Sequence, residues 1–234
     1  MFFGKTRKIS SVLKGLFAAA AVMTWSLSAT ASSEQQQLVD KAKLTVESLQ
    51  NQSDMEQFRK LLAVSKGVVV FPQVLKAGFF VGGAGGTGVL MARGVDGSWS
   101  SPAFYTMGQA SFGLQFGAEA KELILVIMTD KGLQAIIDNQ VKLGGDLSAA
   151  VGPVGRNVGA SSTTNMDVDV FSFAKNAGLF IGASVEGSIL DARDDWQNAY
   201  YGKTATATDI VLKRAFDAPG AAALKQALSA AEAK

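Results

Sequence analysis

From Gly67 to Leu190 the chain runs in short apolar stretches rich in Val, Ile and Phe, broken repeatedly by glycine. Glycine costs a helix interior about 1 kcal/mol relative to alanine, whereas in a strand it marks a bulge or a close approach of two backbones. The runs Val68–Phe71, Gly78–Met91, Phe104–Phe116 and Leu123–Met128 therefore read as strands, and Gly94-Val95-Asp96-Gly97 as a turn. Asp130 is placed to cap a short helix from Gly132 to Asn139, after which Gly144–Val151, Met166–Ala174 and Gly178–Leu190 return to strand character. A sheet with this much glycine is free to bend.

The strand region also repeats itself. At an offset of 100 residues, nine of the 24 positions from Val70 to Arg93 are identical: Val70, Phe71, Ala77, Gly78, Phe80, Gly82, Leu90, Ala92 and Arg93 match Val170, Phe171, Ala177, Gly178, Phe180, Gly182, Leu190, Ala192 and Arg193. Most are small or apolar, which points to two equivalent strand-turn-strand units completing one core rather than to two binding sites. Helical spacing flanks the strands. Leu38, Val39, Ala42, Val46 and Leu49, then Met55, Phe58, Leu61 and Leu62, recur at intervals of three and four, with a break near Asn51, Ser53 and Asp54. Asp194–Tyr200, Thr208–Phe216 and Gly220–Ala233 carry the same spacing at the other end. The expected fold is α+β: one domain over residues 32–234, with helices at about 33–64, a sheet-rich core at about 67–192 and C-terminal helices at about 194–233. Its sheet is expected to be mainly antiparallel and strongly bent or barrel-like.

The first 31 residues have the pattern of a cleavable secretory signal peptide. Lys5, Arg7, Lys8 and Lys14 precede an apolar run from Gly15 to Leu27, and Ala29-Thr30-Ala31 supplies the cleavage site before Ser32. Cleavage would take away four basic and no acidic side chains, leaving 18 Lys and Arg against 20 Asp and Glu. The mature net charge would then be −2 and no basic run would survive, which argues against a nucleic-acid partner. With no cysteine the core must stabilise the fold without disulfides. A periplasmic or envelope location in a bacterium is the expectation.

The chemistry is defined by what is missing. The chain has no histidine and no cysteine, so it lacks the commonest general base, the usual zinc ligands and every thiol mechanism. Ser172 and Lys175 have S-x-x-K spacing but fall where a strand is expected, with no companion motif. Asp167 and Asp169 alternate on a strand and read as facing water; Asp191, Asp194 and Asp195 read with Arg193 as a surface charge cluster or helix cap. Gly83-Ala84-Gly85-Gly86-Thr87-Gly88 matches G-x-G-x-x-G, yet a dinucleotide site needs a helix next, and Val89-Leu90-Met91-Ala92 reads as strand. No enzymatic activity, cofactor or metal is expected.

Ser65-Lys66-Gly67-Val68-Val69-Val70-Phe71-Pro72, Lys76-Ala77-Gly78-Phe79, Gly88-Val89-Leu90, Gly152-Pro153-Val154-Gly155-Arg156, Gly178-Leu179-Phe180 and Tyr200-Tyr201-Gly202 occur in the order found in the SYLF-domain family, which the chain resembles from about Leu38 to Leu228. The resemblance implies a single α+β domain that associates with phospholipid and has no enzymatic activity. Eukaryotic members are described as using a basic amphipathic N-terminal segment for phosphoinositides. The matching region in this chain is a signal peptide or a charge-balanced helix pair, so neither that specificity nor the actin-related roles carry over.

Two functions follow as expectations. In the first, an exported protein binds phospholipid or a membrane surface through Lys66, Lys76, Arg93, Arg156, Lys175 and Lys203, with Phe79, Trp99 and Trp196 as apolar contacts. In the second, a structural or interaction module binds an envelope protein, or itself, through free strand edges. An exposed apolar patch lined by lysines favours the first and a long bare strand edge the second.

Overall fold

The computed structural model describes residues 33–50, 55–78, 81–112, 117–138, 140–152, 168–176, 179–182 and 184–232. The predicted leader, the predicted helix break and Asp167 lie outside them. Helices α1 (Glu34–Gln50) and α2 (Glu56–Val64) precede four long strands, β1 (Gly67–Gly78), β2 (Val81–Ala92), β3 (Ala103–Phe112) and β4 (Gly117–Ile127). Then follow α3 (Asp130–Asp138), β5 (Val141–Lys142), β6 (Ala149–Val151), β7 (Val170–Asn176), β8 (Leu179–Gly182), β9 (Ile189–Ala192), α4 (Asp194–Tyr201) and α5 (Ala222–Glu232). Between α4 and α5 the predicted helix at Thr208–Phe216 is a single π-helical turn, Thr208–Leu212, and the chain leaves helical geometry at Arg214, whose φ is 51°.

The strands form one sheet in the order β5-β9-β3-β2-β1-β4-β7-β6, with β8 pairing β7 off that path. The central order β4-β1-β2-β3 is that of a Greek key. All pairings are antiparallel except β6 with β7. Chain length forces the sheet to curl. Laid flat, the seven spacings from β5 to β6 would span roughly 34 Å at ~4.8 Å each. Lys142 of β5 and Ala149 of β6 are separated by seven residues, a reach of at most ~25 Å when fully extended. Part of that reach is spent in a turn, where Gly144 has a φ of 78°, Asp146 N donates to Lys142 O at 2.9 Å and Gly144 N donates to Leu147 O at 2.8 Å. The two edges must therefore approach each other, and the sheet is a strongly curled half-barrel.

Alternation along the strands builds a core on each face. The concave side gathers Val69, Phe71, Leu90, Tyr105, Leu123 and Leu125, closed by Leu143 and Leu147 of the edge-to-edge turn and by Leu133 and Ile136 of α3. The convex side presents Val68, Val70, Val89, Met91, Phe104, Ile124 and Phe173 to Val39, Ala42, Val46 and Leu49 of α1, to Phe58 and Leu62 of α2, and to Leu224 and Leu228 of α5. The apolar stripe predicted for α1 is thus the buried one. Both cores lie wholly within the compact unit Ser33–Lys234.

The 100-residue echo folds as two antiparallel hairpins, β1–β2 and β7–β8, whose last pairs are Gly78 with Gly82 and Asn176 with Leu179. Each copy ends in an arginine stacked on a tryptophan, Arg93 on Trp99 at 4.5 Å and Arg193 on Trp196 at 4.4 Å. The copies then diverge. Strand β2 continues to Ala92, whereas the predicted strand Gly178–Leu190 divides into β8 beside β7 and β9 beside β3, at opposite ends of the sheet. One unbroken strand cannot pair at both edges.

The G-x-G-x-x-G segment lies inside β2, with no helix after it. Opposite it, β1 bulges at Pro72 and Gln73, two residues facing Glu122 alone. A Cβ at Gly88 would lie 2.5 Å from Val70 O and 2.6 Å from the Phe71 ring, and one at Gly86 would collide with Gln73 O. These glycines serve the bulge.

Candidate functional site

The helices cover only one half of the four long strands. The other half consists of Leu75–Gly78, the start of β2, the end of β3 from Gly108 and the start of β4. Its register places Leu75, Ala77, Gly83, Gly85, Gly108, Ala110 and Ala120 on one face, because Leu75 pairs with Gly85 and Ala120, Gly85 with Gly108, Ala77 with Gly83 and Gly83 with Ala110. By alternation in β2 this is the convex face, continuous with Val89 and Met91. The helices end before it. Leu75 is 56% exposed, and Ala77, Gly83, Gly108, Ala110 and Ala120 are exposed as well.

Beside this bare face runs a groove of about 610 Å³ between α1 and the β1 bulge. Lys41, Leu44, Thr45 and Ser48 of α1 form one wall; Pro72 and Gln73 of the bulge, Ala120, Lys121 and Glu122 of β4, and Lys175 of β7 form the other. Leu44 points away from the buried stripe of α1 and is 59% exposed, so the groove has an apolar lip on the side of the bare face. Glu122 and Lys175 are register partners and form a salt bridge at 3.4 Å. Lys41 and Lys121 make no ion pair among the described residues. Burial holds the amine of half-buried Lys121 below its usual range; Glu119 opposes that shift and Lys76 adds to it. By strand alternation the Lys121 side chain turns with Lys76 and Glu119 to the concave face, which leaves Lys41, Lys175 and Glu122 as the charged side chains on the α1 side of the groove.

The residues predicted from sequence do not converge on one place. Arg93 is internal: it donates to Leu62 O at 2.8 Å and Ser65 O at 3.2 Å, satisfying carbonyls at the end of α2, and pairs with Glu232 of α5 at 2.6 Å. Trp99 is 3% exposed and donates its Nε1 hydrogen to Glu232 at 2.7 Å. Trp196 packs against Phe104 at 5.9 Å on the convex core, Lys66 pairs with Asp130 at 3.0 Å, and Lys203 lies 4.5 Å over the Phe216 ring. Lys76 is in register with Glu119. Only Lys175 lines the groove; Phe79 and Arg156 lie outside the described residues. Sequence reasoning missed Lys41, Leu44 and Leu75. Leu44 alone carried a signal, as a leucine off the apolar stripe of its helix.

The carboxylates are structural too. Asp169 does not face water: it is 5% exposed and accepts hydrogen bonds from Thr129 Oγ1 at 2.6 Å, Ser148 N at 3.0 Å and Ser148 Oγ at 2.9 Å. Burial pushes this carboxyl up, and the bonds from Thr129 and Ser148 outweigh burial and hold it below the ordinary aspartate range. The knot ties the start of α3 to β6 and β7, since Gly132 N donates to Thr129 Oγ1 at 2.9 Å. Arg193 pairs with Asp195 at 2.6 Å, as a local surface cluster. Ser172 is buried and donates to Ala150 O, three positions along the strand from Lys175 and on its opposite face. Among the described residues no cluster of three or more acidic groups is placed to hold a metal ion, and no helix is long and apolar enough to cross a membrane.

The chain thus forms a curled α+β half-barrel with a groove beside an exposed, glycine- and alanine-rich face. The family described as Ysc84, Las17-binding protein actin regulator, matches residues 108–231, more than half of the chain. This protein belongs to that family, the SYLF domain. It is 35% identical over 152 residues to the human SH3 domain-containing YSC84-like protein 1, an alignment covering 64% of this chain and 44% of the relative. It is 34% identical over 164 residues to Protein YSC84 of Saccharomyces cerevisiae, covering 69% of this chain and 35% of the relative. LAS seventeen-binding protein 3 of the same yeast is 34% identical over 157 residues, covering 66% of this chain and 34% of the relative. The chain thus spans less than half the length of these relatives.

Proposed function

We propose that this chain is an exported, non-enzymatic module of the bacterial envelope that binds phospholipid surfaces. The leader pattern of residues 1–31 supports export, and the SYLF membership supports a binding role over a catalytic one. The observation that carries the lipid reading is the bare convex face with exposed Leu75, flanked by exposed Leu44 and by Lys41 and Lys175. Apolar side chains reaching the acyl boundary and ammonium groups at the phosphate level are what an interfacial protein presents.

A second reading rests on the strand edges. In the same half of the sheet, β3 beyond Gly108 and β4 before Glu122 have a paired neighbour on one side only, among the described residues. Such edges accept a partner's strand. Relatives named for binding Las17 belong to the same family.

Co-sedimentation of Ser33–Lys234 with vesicles separates the two. The lipid reading expects binding that favours anionic over zwitterionic vesicles, weakens with salt, and falls about tenfold in the Leu44→Ser, Leu75→Ser double variant, since each exposed leucine contributes roughly 1 kcal/mol or more when buried. Absence of wild-type binding to every vesicle tested sinks it and leaves the edge-pairing reading.

A further inference from the structure

The two copies of the 100-residue echo end in the same chemistry but in different surroundings. At the first, the Arg93 guanidinium stacks on Trp99 at 4.5 Å, and Glu232 of α5 closes the pair. Glu232 Oε2 accepts from Arg93 Nη1 at 2.8 Å, and its Oε1 takes both Arg93 Nη2 at 2.6 Å and Trp99 Nε1 at 2.7 Å. The other side of the guanidinium, Nε with Nη2, serves Ser65 O and Leu62 O. One carboxylate thus spans the end of an arginine and an indole N–H.

At the second, the Arg193 guanidinium stacks on Trp196 at 4.4 Å. Its Nε and Nη2 donate to Asp195 at 3.2 and 2.6 Å, using the side that Arg93 gives to backbone carbonyls. Arg193 Nη1 and Trp196 Nε1 have no acceptor among the described residues, and neither is a buried atom left without a partner, so both reach solvent. We propose that this pair binds a carboxylate side chain of a partner protein, as Arg93 and Trp99 hold Glu232. Its chemistry is independent of the lipid reading.

The donors select the ligand. The end of an arginine presents two parallel N–H groups that fit the two oxygens of a carboxylate, and an indole N–H can only donate. The tryptophans are not echo equivalents, since Trp99 follows Arg93 in the connection from β2 to β3 and Trp196 follows Arg193 inside α4. The same stacking is therefore reached from two local structures, and in one of them the carboxylate is built in. The surroundings set the strength. Asp191, Asp194 and Asp195 flank Arg193, Asp191 accepting from Gln140 at 3.2 Å and Asp194 from Gln197 at 3.1 Å. Their charge opposes a second anion, so a free carboxylate binds weakly and a tight complex draws on the rest of the partner's surface.

Residues Ser33–Lys234 contain two tryptophans, Trp99 and Trp196, so the amide spectrum of that chain has two indole signals. Trp99, already bonded to Glu232, is the internal reference. Titration with N-acetylglutamate α-methylamide is expected to move the Trp196 signal saturably and to leave the Trp99 signal in place. Arg193→Gln is expected to abolish that shift, and Arg193→Lys, which keeps the charge but loses the paired N–H groups, to weaken binding roughly fivefold. An unmoved Trp99 signal reports that each variant is folded. Asp194→Asn removes a like charge and is expected to tighten binding about twofold. A shift that sodium chloride of equal ionic strength reproduces, or one that persists in Arg193→Gln, overturns the site. A larger response to N-acetylalanine, whose one carboxylate is a chain terminus, overturns the side-chain ligand and assigns the pair to a partner's C-terminus.

Discussion

The two halves of the long strands follow opposite rules. In one half, Val68-Val69-Val70-Phe71, Val89-Leu90-Met91, Phe104-Tyr105 and Leu123 to Ile127 are buried on both faces, and each such side chain adds roughly 1.5–3 kcal/mol through burial. In the other, Val74, Ala84 and Met107 still close the concave side, but the convex side is glycine and alanine with the single exposed leucine Leu75, open to solvent. The same strands and the same register thus serve stability at one end and expose a flat, almost featureless surface at the other. Stability and recognition are separated along a strand rather than between domains.

The sharpest way to break this comparison is to disturb the boundary between the halves. Gly88→Ala places a Cβ against Val70 O and the Phe71 ring, where the backbone of the bulge has no slack. Overpacking of this kind is expected to cost about 3 kcal/mol, read as a lowered denaturation midpoint with an unchanged slope. A loss below about 0.5 kcal/mol would mean that the bulge is not a fixed part of the fold, and the groove beside it would lose its rigid wall.

A smaller effect is expected at the polar knot of the closed half. Asp169→Asn keeps the shape but turns one charged acceptor into an amide against the Thr129 and Ser148 donors, at a cost of about 2 kcal/mol near neutral pH. The folded carboxyl is held below its unfolded value, so its contribution is complete above about pH 4 and is lost as pH falls through the lowered value. The stability gap between wild type and variant should therefore narrow as pH falls below the ordinary aspartate range. A gap that stays constant through acid titration would show that the charge of Asp169 plays no part.

Much of the architecture was legible because it rests on local rules. Glycine-broken apolar runs gave the four long strands, the stripe from Val39 to Leu49 gave the buried face of α1, and the echo gave the paired hairpins. The strong bend of the sheet was legible from its glycines, but the strand order that closes it was not, because it depends on β9 leaving its own hairpin for the far edge, which no local pattern encodes. The site was harder for the same reason. Arg93 and Trp99 look like surface contacts in sequence, yet Glu232, more than 130 residues later, draws both inward. Lys41 is an ordinary lysine until the bulge at Pro72 and Gln73 brings α1 and β4 to one groove.

The smallest expected effect bears most directly on what the bare half is for. Gly88 has an internal reason to be glycine, whereas a Cβ at Gly108 would meet nothing within 4 Å, and the residue lacks the positive φ that only glycine tolerates well. By intrachain physics alanine at 108 should stabilise the strand by about 0.5–1 kcal/mol, because glycine gives up more backbone entropy on folding. Gly108→Ala is therefore expected to raise thermal stability slightly and to reduce vesicle binding if the flat face meets lipid closely. A stabilised variant with undiminished binding would leave the groove and its leucine lip as the contact surface and make the flat face a mere consequence of where the helices end.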